Sequence, residues 1–550
     1  MLVERRIGLL RFGFLGLLTI AALQALYLGV VKGPSLRQAA RSQQVAVANV
    51  PAPRGAITDR RGADLAVSQA AADIAVTPYL IKDPARAAQR LAPLLATTPQ
   101  TLLPKLVRHG TGFVYLARLL PAGRAKQIAA LRLPGVQLIP TTRRIYPRHW
   151  LGSQLIGAVG TDGTGLAGLE YSRERTLHGH DGARREVKDA LGRAISLRDT
   201  SVARPGATLR LTLDAPIQDK VESVLGEVAQ RYHPKGATAL VMDPRTGALM
   251  ALANWPRVDA NKLGAAPPYA RQDRAVGAAY EPGSTFKAFT VAGALEDHRV
   301  TPQTQFDLPP QIQVADRTIG ESHPRGAVTL TTAQILAQSS NIGAIKIGLS
   351  EGKRRFDYWV RRFGFGRSTG IDLPGEGTGI VPRLDQYSGS SMGNLPIGQG
   401  LAVTPLQMAT GYAAIANGGI LRPAHIVDAV DGKRTPIPPG HRVLSAGTAR
   451  SLRRMLEGVL APGGTASEAA IPGYRLAGKT GTANKPEAGG YSKTRFVASF
   501  VGFAPARDPQ LLVAVMVDEP QGQIYGGLVA APAFQEITSF ALPYLRIPPG

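Results

Sequence analysis

Glu281-Pro-Gly-Ser284-Thr-Phe-Lys287-Ala-Phe-Thr-Val-Ala-Gly-Ala-Leu295 is the stretch around which the rest of the chain can be organised. Pro282 and Gly283 open a helix, and residues 286–295 are mostly apolar, so Ser284 is expected in the first turn of a buried helix. The i, i+3 spacing places Lys287 on the same face as Ser284, and the positive end of the helix favours an anion developing there. A serine and an amine so arranged are a nucleophile and its candidate base.

Ser-x-x-Lys alone says little, because about one match is expected by chance in a chain of this length. A second match, Ser350-Glu-Gly-Lys353, is present. Gly352 interrupts it and Arg354 and Arg355 follow, so it reads as a helix end on the surface. Ser284 has two companions in fixed order, Ser339-Ser-Asn341 and Lys479-Thr480-Gly481-Thr482, with 55 residues from Ser284 to Ser339 and 140 from there to Lys479. Singly they are a cap or turn after a helix-like stretch over 328–338 and a hairpin edge before the strand at Phe496. As an ordered triple they supply three walls of one serine acyl-transfer cleft.

The 550 residues are too many for one typical core, and two or three domains are expected. Hydrophobic residues make up 44% and charged residues 19%, which suits a folded chain. The formal charge of +25 suits an anionic partner such as nucleic acid, acidic lipid or a polyanionic wall polymer, and equally a solvated basic surface. No helix-turn-helix, zinc-finger or RNP-type signature supports nucleic acid. Cysteine is absent, which excludes disulfides, thiol catalysis and thiolate-bound metals. The nine histidines do not cluster into a Ser-His-Asp arrangement, and His178-Gly-His180-Asp181 reads as a turn rather than a metal site.

Residues 12–31 carry no charge over 20 positions, enough to cross about 30 Å of hydrocarbon as a helix. Arg5, Arg6 and Arg11 precede the run and Lys32, Arg37 and Arg41 follow, so flanking charge leaves orientation nearly tied. A cleaved leader is the competing reading, but its small-residue site, Ala46-Val47-Ala48, lies 15 residues beyond the run; an uncleaved anchor is expected. A helix is expected to continue over 37–49 until Pro51 and Pro53. Residues 54–66 read as strand, turn at Arg61-Gly62 and strand, and nothing from there to about Val202 forms a catalytic cluster. A new domain is expected from Gly206, with a strand over 207–214, a helix from Pro216, a hairpin of 237–242 and 248–254, and strands at 496–502 and 511–517. Strands at both ends with helices between imply an α+β domain with a largely antiparallel sheet.

The ordered triple resembles the penicillin-recognising serine enzymes, and the chain is similar to the class B penicillin-binding proteins over nearly its whole length. Arg54-Gly55, Ile57, Asp59-Arg60 and Gly62 resemble the opening motif of that family's pedestal domain, and Arg144-Ile-Tyr146-Pro147, Gly165, Gly168 and Glu170 resemble later ones. Phe363-Gly-Phe-Gly366, Gly370-Ile-Asp-Leu-Pro-Gly375, Gly398-Gln-Gly400 and Val403-Thr-Pro-Leu-Gln407 resemble signatures of its catalytic domain. Tyr280-Glu-Pro-Gly-Ser-Thr-Phe-Lys287, Phe500-Val-Gly-Phe-Ala-Pro505 and Tyr525-Gly-Gly-Leu-Val-Ala-Ala-Pro532 are similar to the division-type, FtsI-like branch more than to the elongation branch. No appended PASTA module, class A glycosyltransferase pair or internal signalling domain is expected.

The resemblance implies a cytoplasmic segment (1–11), a transmembrane helix (12–31), a linker and elongated pedestal (32–205) and an α+β penicillin-binding transpeptidase domain (206–550), its sheet flanked by helices. It implies a peptidoglycan D,D-transpeptidase outside the plasma membrane, cross-linking stem peptides from D-Ala-D-Ala donors with release of terminal D-Ala and acylated by β-lactams, at the division site. Ser284 would attack, Lys287 act as base, Ser339 relay the proton and Asn341 position Lys287 and a substrate amide. Bringing a lysine from about 10.4 to about 7.5 takes close to 4 kcal/mol, for which burial and a nearby Lys479 cation are the expected sources. Lys479 and Thr480 would bind the donor carboxylate, Gly481 admit the substrate, and the amides of Ser284 and Thr482 form the oxyanion hole. Glu281 does not resemble the deacylating carboxylate of a class A β-lactamase, so slow hydrolysis is expected. No metal or organic cofactor is implied; a SEDS-family glycosyltransferase of the FtsW kind and divisome proteins are the implied partners. The rival readings are an elongation-type enzyme and a penicillin-binding sensor or scaffold without turnover.

Overall fold

A computed structural model describes residues 2–35, 45–108, 110–188 and 194–549. The N-terminal helix runs over Leu2–Leu26 and ends in one π turn, Tyr27–Val31. Within this stretch Ile7–Val31 has a mean hydropathy of 2.1, and none of the described residues buries its apolar sides. It is long and apolar enough to cross a membrane. The helix expected to continue over 37–49 lies partly outside the described residues, and where it is described it is a strand. Val45–Val50 alternates Val with Ala and pairs antiparallel with Gly182–Lys188, so β-branched residues and a partner strand override the local helical reading.

Packing gathers the chain into two compact units, each discontinuous in sequence. One comprises Met1–Pro53, Ala70–Thr142 and Gly179–Gly206. It holds the sheet of Val45–Val50, Gly182–Lys188 and Ala194–Ser201. A separate core forms where Ile74 and Val76 meet Leu91 of helix Pro84–Leu95, Leu102 and Leu106 of helix Pro99–Leu106, and Ile128 of helix Ala122–Ala130. In this unit Asp181 accepts hydrogen bonds from the Ala52 amide (2.7 Å) and the Asn49 side chain (2.6 Å).

The other unit comprises Arg54–Gln69, Arg143–His178 and Ala207–Gly550. Residues 54–69 and 143–178 thus pack with the residues that follow the break expected at Gly206. Its centre is a five-stranded antiparallel sheet, ordered Leu249–Trp255, Gly236–Met242, Leu511–Asp518, Gly490–Ala504, Ala477–Glu487. Successive residues point to opposite faces, and both faces are covered. Ala239, Val241, Phe500, Val513 and Val515 face helices Ala215–Tyr232 and Gly526–Tyr544. Leu240, Met242, Val501, Phe503 and Leu512 belong to a second core with helices Lys287–Glu296 and Pro405–Ala416. Because both faces are apolar, these strands read as continuous hydrophobic runs rather than as alternation. Residues 328–338 are not one helix: Val328–Thr331 pairs with Gln305–Leu308, and helix Thr332–Ala337 begins at a Thr331–Gln334 capping box. Val328, Thr329 and Thr331 are β-branched and find a partner strand, and Thr331 is a strong N-cap.

The polar motif residues 54, 144, 146 and 170 converge in this second unit. Glu170, fully buried, accepts from Arg54 Nε (2.5 Å) and Arg144 Nε (2.6 Å), and Tyr146 Oη reaches it at 3.4 Å. Arg54 also donates to Glu174 (2.6 Å), and Arg144 to the Gly55 carbonyl (2.8 Å). Two guanidinium groups therefore depend on one buried carboxylate. Glu170→Ala is expected to lose about 3–5 kcal/mol, since truncation leaves Arg144 without a carboxylate and Arg54 with Glu174 alone. Urea unfolding of the full-length protein in detergent measures this; a change under 1 kcal/mol would contradict the cluster's structural role.

Candidate active site

Ser284 lies in a 3₁₀ turn, Gly283–Phe286, that precedes helix Lys287–Glu296. The nucleophile candidate is thus just ahead of the α-helix rather than in its first turn. Gly283 has φ of +54°, and its amide donates to the Gly398 carbonyl (3.0 Å). A Cβ on Gly283 would stand 3.0 Å from the Thr482 carbonyl oxygen, so the turn runs directly beside the edge strand Ala477–Glu487. Tyr412 Oη donates to the Thr285 carbonyl (2.6 Å), and Thr285 Oγ1 to the Pro282 carbonyl (2.8 Å). Below the turn Phe286 meets Phe365 (5.2 Å between ring centres), and Phe289 meets Phe363 (4.9 Å), Phe365 (4.8 Å) and Tyr412 (5.3 Å), the last three edge-on. These quadrupole-matched contacts fix the helix that carries the site.

Lys287 is fully buried. Its Nζ donates to the Ser339 carbonyl (2.6 Å), to Asn341 Oδ1 (2.7 Å) and to Ser339 Oγ (3.3 Å). Three acceptors match the three protons of an ammonium. Burial nevertheless pushes this lysine down to about 7, with the Glu321 carboxylate acting upward and the Arg325 guanidinium downward. The expected source of the depression was in part Lys479. Burial comes first, and the cation acting on Lys287 is Arg325.

Ser339 links helix Thr332–Ala337 to helix Asn341–Glu351 and adopts φ of +61°, unusual for a residue with a Cβ. Ser340 Oγ caps the second helix by accepting from the Gly343 amide (3.0 Å). Glu321, Arg325 and Ser340 are functional neighbours that sequence reasoning missed. Ser340 occupied the middle of a motif, while Glu321 and Arg325 belong to none, and only the structure brings them there.

Lys479 is fully buried, and its Nζ lies 3.3 Å from the Thr480 carbonyl and 3.4 Å from Thr480 Oγ1. Thr480 Oγ1 pairs with Thr465 Oγ1 (2.8 Å). Burial, and then the charge of Lys287, hold Lys479 well below its ordinary value. Gly481 was expected to clear room for substrate; its close neighbours are protein. A Cβ there would meet Ser499 Oγ at 2.4 Å, the Pro282 carbonyl oxygen at 2.9 Å and Thr285 Cγ2 at 2.9 Å. Gly481 therefore lets the strand and the Ser284 turn touch. Thr482 Oγ1 accepts from the Gly526 amide (3.0 Å), tying the strand to the last helix.

Lys287, Ser339 and Asn341 are thus directly bonded, Gly283 abuts Thr482, and Lys479 senses Lys287 through its charge. Among the described residues the Ser284 hydroxyl has no hydrogen-bond partner, as is common for a nucleophile before substrate arrives. Glu281 accepts from the Gly400 amide (3.0 Å) and Tyr491 Oη (3.2 Å), and burial raises it. Ser350 is exposed near the end of helix Asn341–Glu351, where its hydroxyl donates to the Ile347 carbonyl (2.7 Å).

The model of the penicillin binding protein transpeptidase domain matches residues 237–539, and that of the penicillin-binding protein dimerisation domain matches residues 49–211. Stage V sporulation protein D of Bacillus subtilis is 35% identical over 515 residues, covering 90% of this chain and 79% of that protein. Peptidoglycan D,D-transpeptidase FtsI of Escherichia coli K12 is 33% identical over 530 residues, covering 95% and 89%. The crystal structure of penicillin binding protein 3 from Mycobacterium tuberculosis, complexed with aztreonam, aligns with a TM-score of 0.71 at 30% identity, covering 91% of this chain and 98% of that one. With an α+β fold, a transpeptidase domain over more than half its length and a dimerisation domain before it, this chain belongs to the class B penicillin-binding proteins.

Proposed function

We propose that this protein is a serine-type peptidoglycan D,D-transpeptidase that cross-links stem peptides through a Ser284 acyl-enzyme. The observation that carries this reading is the buried Lys287 amine, held by Ser339 and Asn341 one helical turn from Ser284 and depressed to about 7. At neutral pH a large fraction of such a lysine is the free base, which an exposed lysine is not.

Neutral Lys287 takes the proton as Ser284 Oγ attacks the carbonyl of the penultimate D-Ala. The C–O bond forms and the peptide C–N bond breaks, and the proton passes through Ser339 Oγ to the departing amine of terminal D-Ala. The amine of a neighbouring stem then attacks the ester, and Ser284 recovers its proton. The amides of Ser284 and Thr482, on adjoining backbone segments, are the oxyanion donors in this scheme. Lys479 and Thr480 take the donor carboxylate. A carboxylate beside Lys479 favours its charged form, and that charge opposes protonation of Lys287, so donor binding keeps the base free. β-Lactams enter the same path and stop at the acyl-enzyme. The wall substrate would make 206–550 the working domain and 32–205 its pedestal.

One N-terminal helix long enough to span a bilayer supports a membrane-anchored protein, with the N-terminus in the cytoplasm and the catalytic unit on the wall side. The FtsI relative supports a division-site role, with an FtsW-like glycosyltransferase and divisome proteins as partners. A fluorescent fusion concentrated at midcell is the expected result, and an even lateral-wall distribution would favour elongation.

Fluorescent penicillin is expected to label the wild type and Ser350→Ala but not Ser284→Ala; label retained by Ser284→Ala would overturn the site. Cross-linking of lipid-linked strands by the wild type separates a working enzyme from a binding scaffold. The acylation rate constant is expected to fall about tenfold per pH unit below about 7, because the ammonium form of Lys287 cannot accept a proton. Lys287→Arg, which stays cationic throughout, is expected to lose at least about a hundredfold at every pH in stopped-flow acylation.

A further inference from the structure

We propose that Glu321 and Arg325 form a positioning pair for the acyl-transfer site: Glu321 locks the Ser339-Ser340-Asn341 loop against the Lys287 amine, and Arg325 offsets the carboxylate's charge there. The inference rests on Lys287 being the base.

Strands Gln311–Val314 and Arg317–Gly320 form a hairpin, and Glu321 is the residue that follows it. Its side chain is 7% exposed, and both oxygens are committed to the loop. Oε1 accepts from Ser340 Oγ (2.5 Å) and Arg325 Nη2 (2.7 Å), while Oε2 accepts from the Asn341 amide (2.6 Å). Asn341 Nδ2 donates to the Gly320 carbonyl (3.1 Å), which turns Oδ1 of the same amide toward Lys287. Arg325 closes the arrangement through Ser340 Oγ (3.1 Å) and Gln338 Oε1 (3.4 Å). Residues on either side of Ser339 are thereby pinned, and Ser339 itself holds φ of +61°. A non-glycine residue keeps that conformation only when its surroundings over-determine it, and these bonds do so. The carbonyl of this residue accepts the hydrogen bond from Lys287 Nζ at 2.6 Å.

The pair also acts at a distance. Among the described residues, the charged groups acting on Lys287 are Glu321 and Arg325 from the segment after the hairpin, while Lys479 on the edge strand feels the charge of Lys287. Glu321 favours the ammonium and Arg325 opposes it, so removing either one moves the base in a known direction. Loss of the carboxylate lowers the proton affinity of Lys287, and loss of the guanidinium raises it. Both residues are bonded to the loop, and both act through it and the lysine.

The test is the acylation rate of full-length protein in detergent by fluorescent penicillin from pH 5.5 to 9. Glu321→Gln keeps one acceptor oxygen where three donors now converge. It is expected to lower the plateau rate at least about tenfold and to move the acid limb down by about 1 pH unit. Arg325→Gln is expected to move the limb up by a similar amount, and the double variant to return it toward wild type with the low plateau retained. A purely structural loss moves plateaus without moving limbs in opposite directions. Limbs that stay at the wild-type position, or move the same way in both variants, overturn the proposal. If Glu321→Gln does not fold, the Arg325→Gln limb decides: an upward move supports the pair and an unchanged limb overturns it. Label retained by Ser284→Ala, or a wild type without an acid limb, overturns the site assignment and the proposal with it; that result is read without either variant.

Discussion

Lys287 is an amine with no access to water, and much of the catalytic unit is arranged around that fact. An ionised group taken from water into a protein interior loses several kcal/mol of solvation unless polar partners replace it. Here the replacement is partial. Two strong acceptors and one weaker one surround Nζ, so the ammonium is tolerated but not favoured, and the proton is held loosely enough to leave near neutrality. The acceptors are themselves on a short link between two helices, and that link keeps its shape because Ser340 and Asn341 are bonded to Glu321. The position of the Lys287 amine therefore depends on a loop three residues long and on the carboxylate behind it.

Backbone approach solves the second positional problem. The Ser284 turn and the strand of Lys479 must lie side by side if a serine is to reach a carbonyl carbon while two amides reach its oxygen. Gly283 and Gly481 lie where side chains would drive the two segments apart, and Gly283 is further held by Gly398. The strand is free to receive the turn because it is the last of its sheet; each of the other inner strands has partners on both sides. An edge that many proteins must shield from aggregation is here covered by the Ser284 turn.

Much of this was legible in the residues. Val403-Thr-Pro-Leu-Gln407 was recognisable as a motif, and in the structure it is a capping box, Thr404 and Gln407 bonding reciprocally with Pro405 at the first helical position. The hairpin of 237–254 and the strands at 496 and 511 follow from turn residues between apolar runs, which are local signals. Strand Val45–Val50 and strand Val328–Thr331 were misread as helix because their partners, Gly182–Lys188 and Gln305–Leu308, are remote or weakly patterned. The role of Gly481 was assigned to substrate because a sequence cannot show that Pro282 and Thr285 occupy the space a side chain would need. Glu321 and Arg325 were invisible for the same reason. Their importance lies in which loop they meet, and their spacing from it obeys no period.

Among the described residues, two buried-charge arrangements have opposite balances. Around Glu170 one carboxylate is enclosed by two guanidinium groups, with Glu174 and backbone carbonyls taking further donors. Its cations are guanidinium groups, whose planar forks hold the carboxylate in a fixed geometry, so the cluster serves structure. In the cleft the buried cations are lysines, whose single nitrogen can lose its proton, and the Glu321 carboxylate that acts on Lys287 is already engaged with Arg325 and the loop. Lys287 and Lys479 repel each other with too little negative charge to hold both protonated. The deficit that would make this a poor joint makes it a workable acid–base site, because the missing negative charge is one that a substrate carboxylate brings.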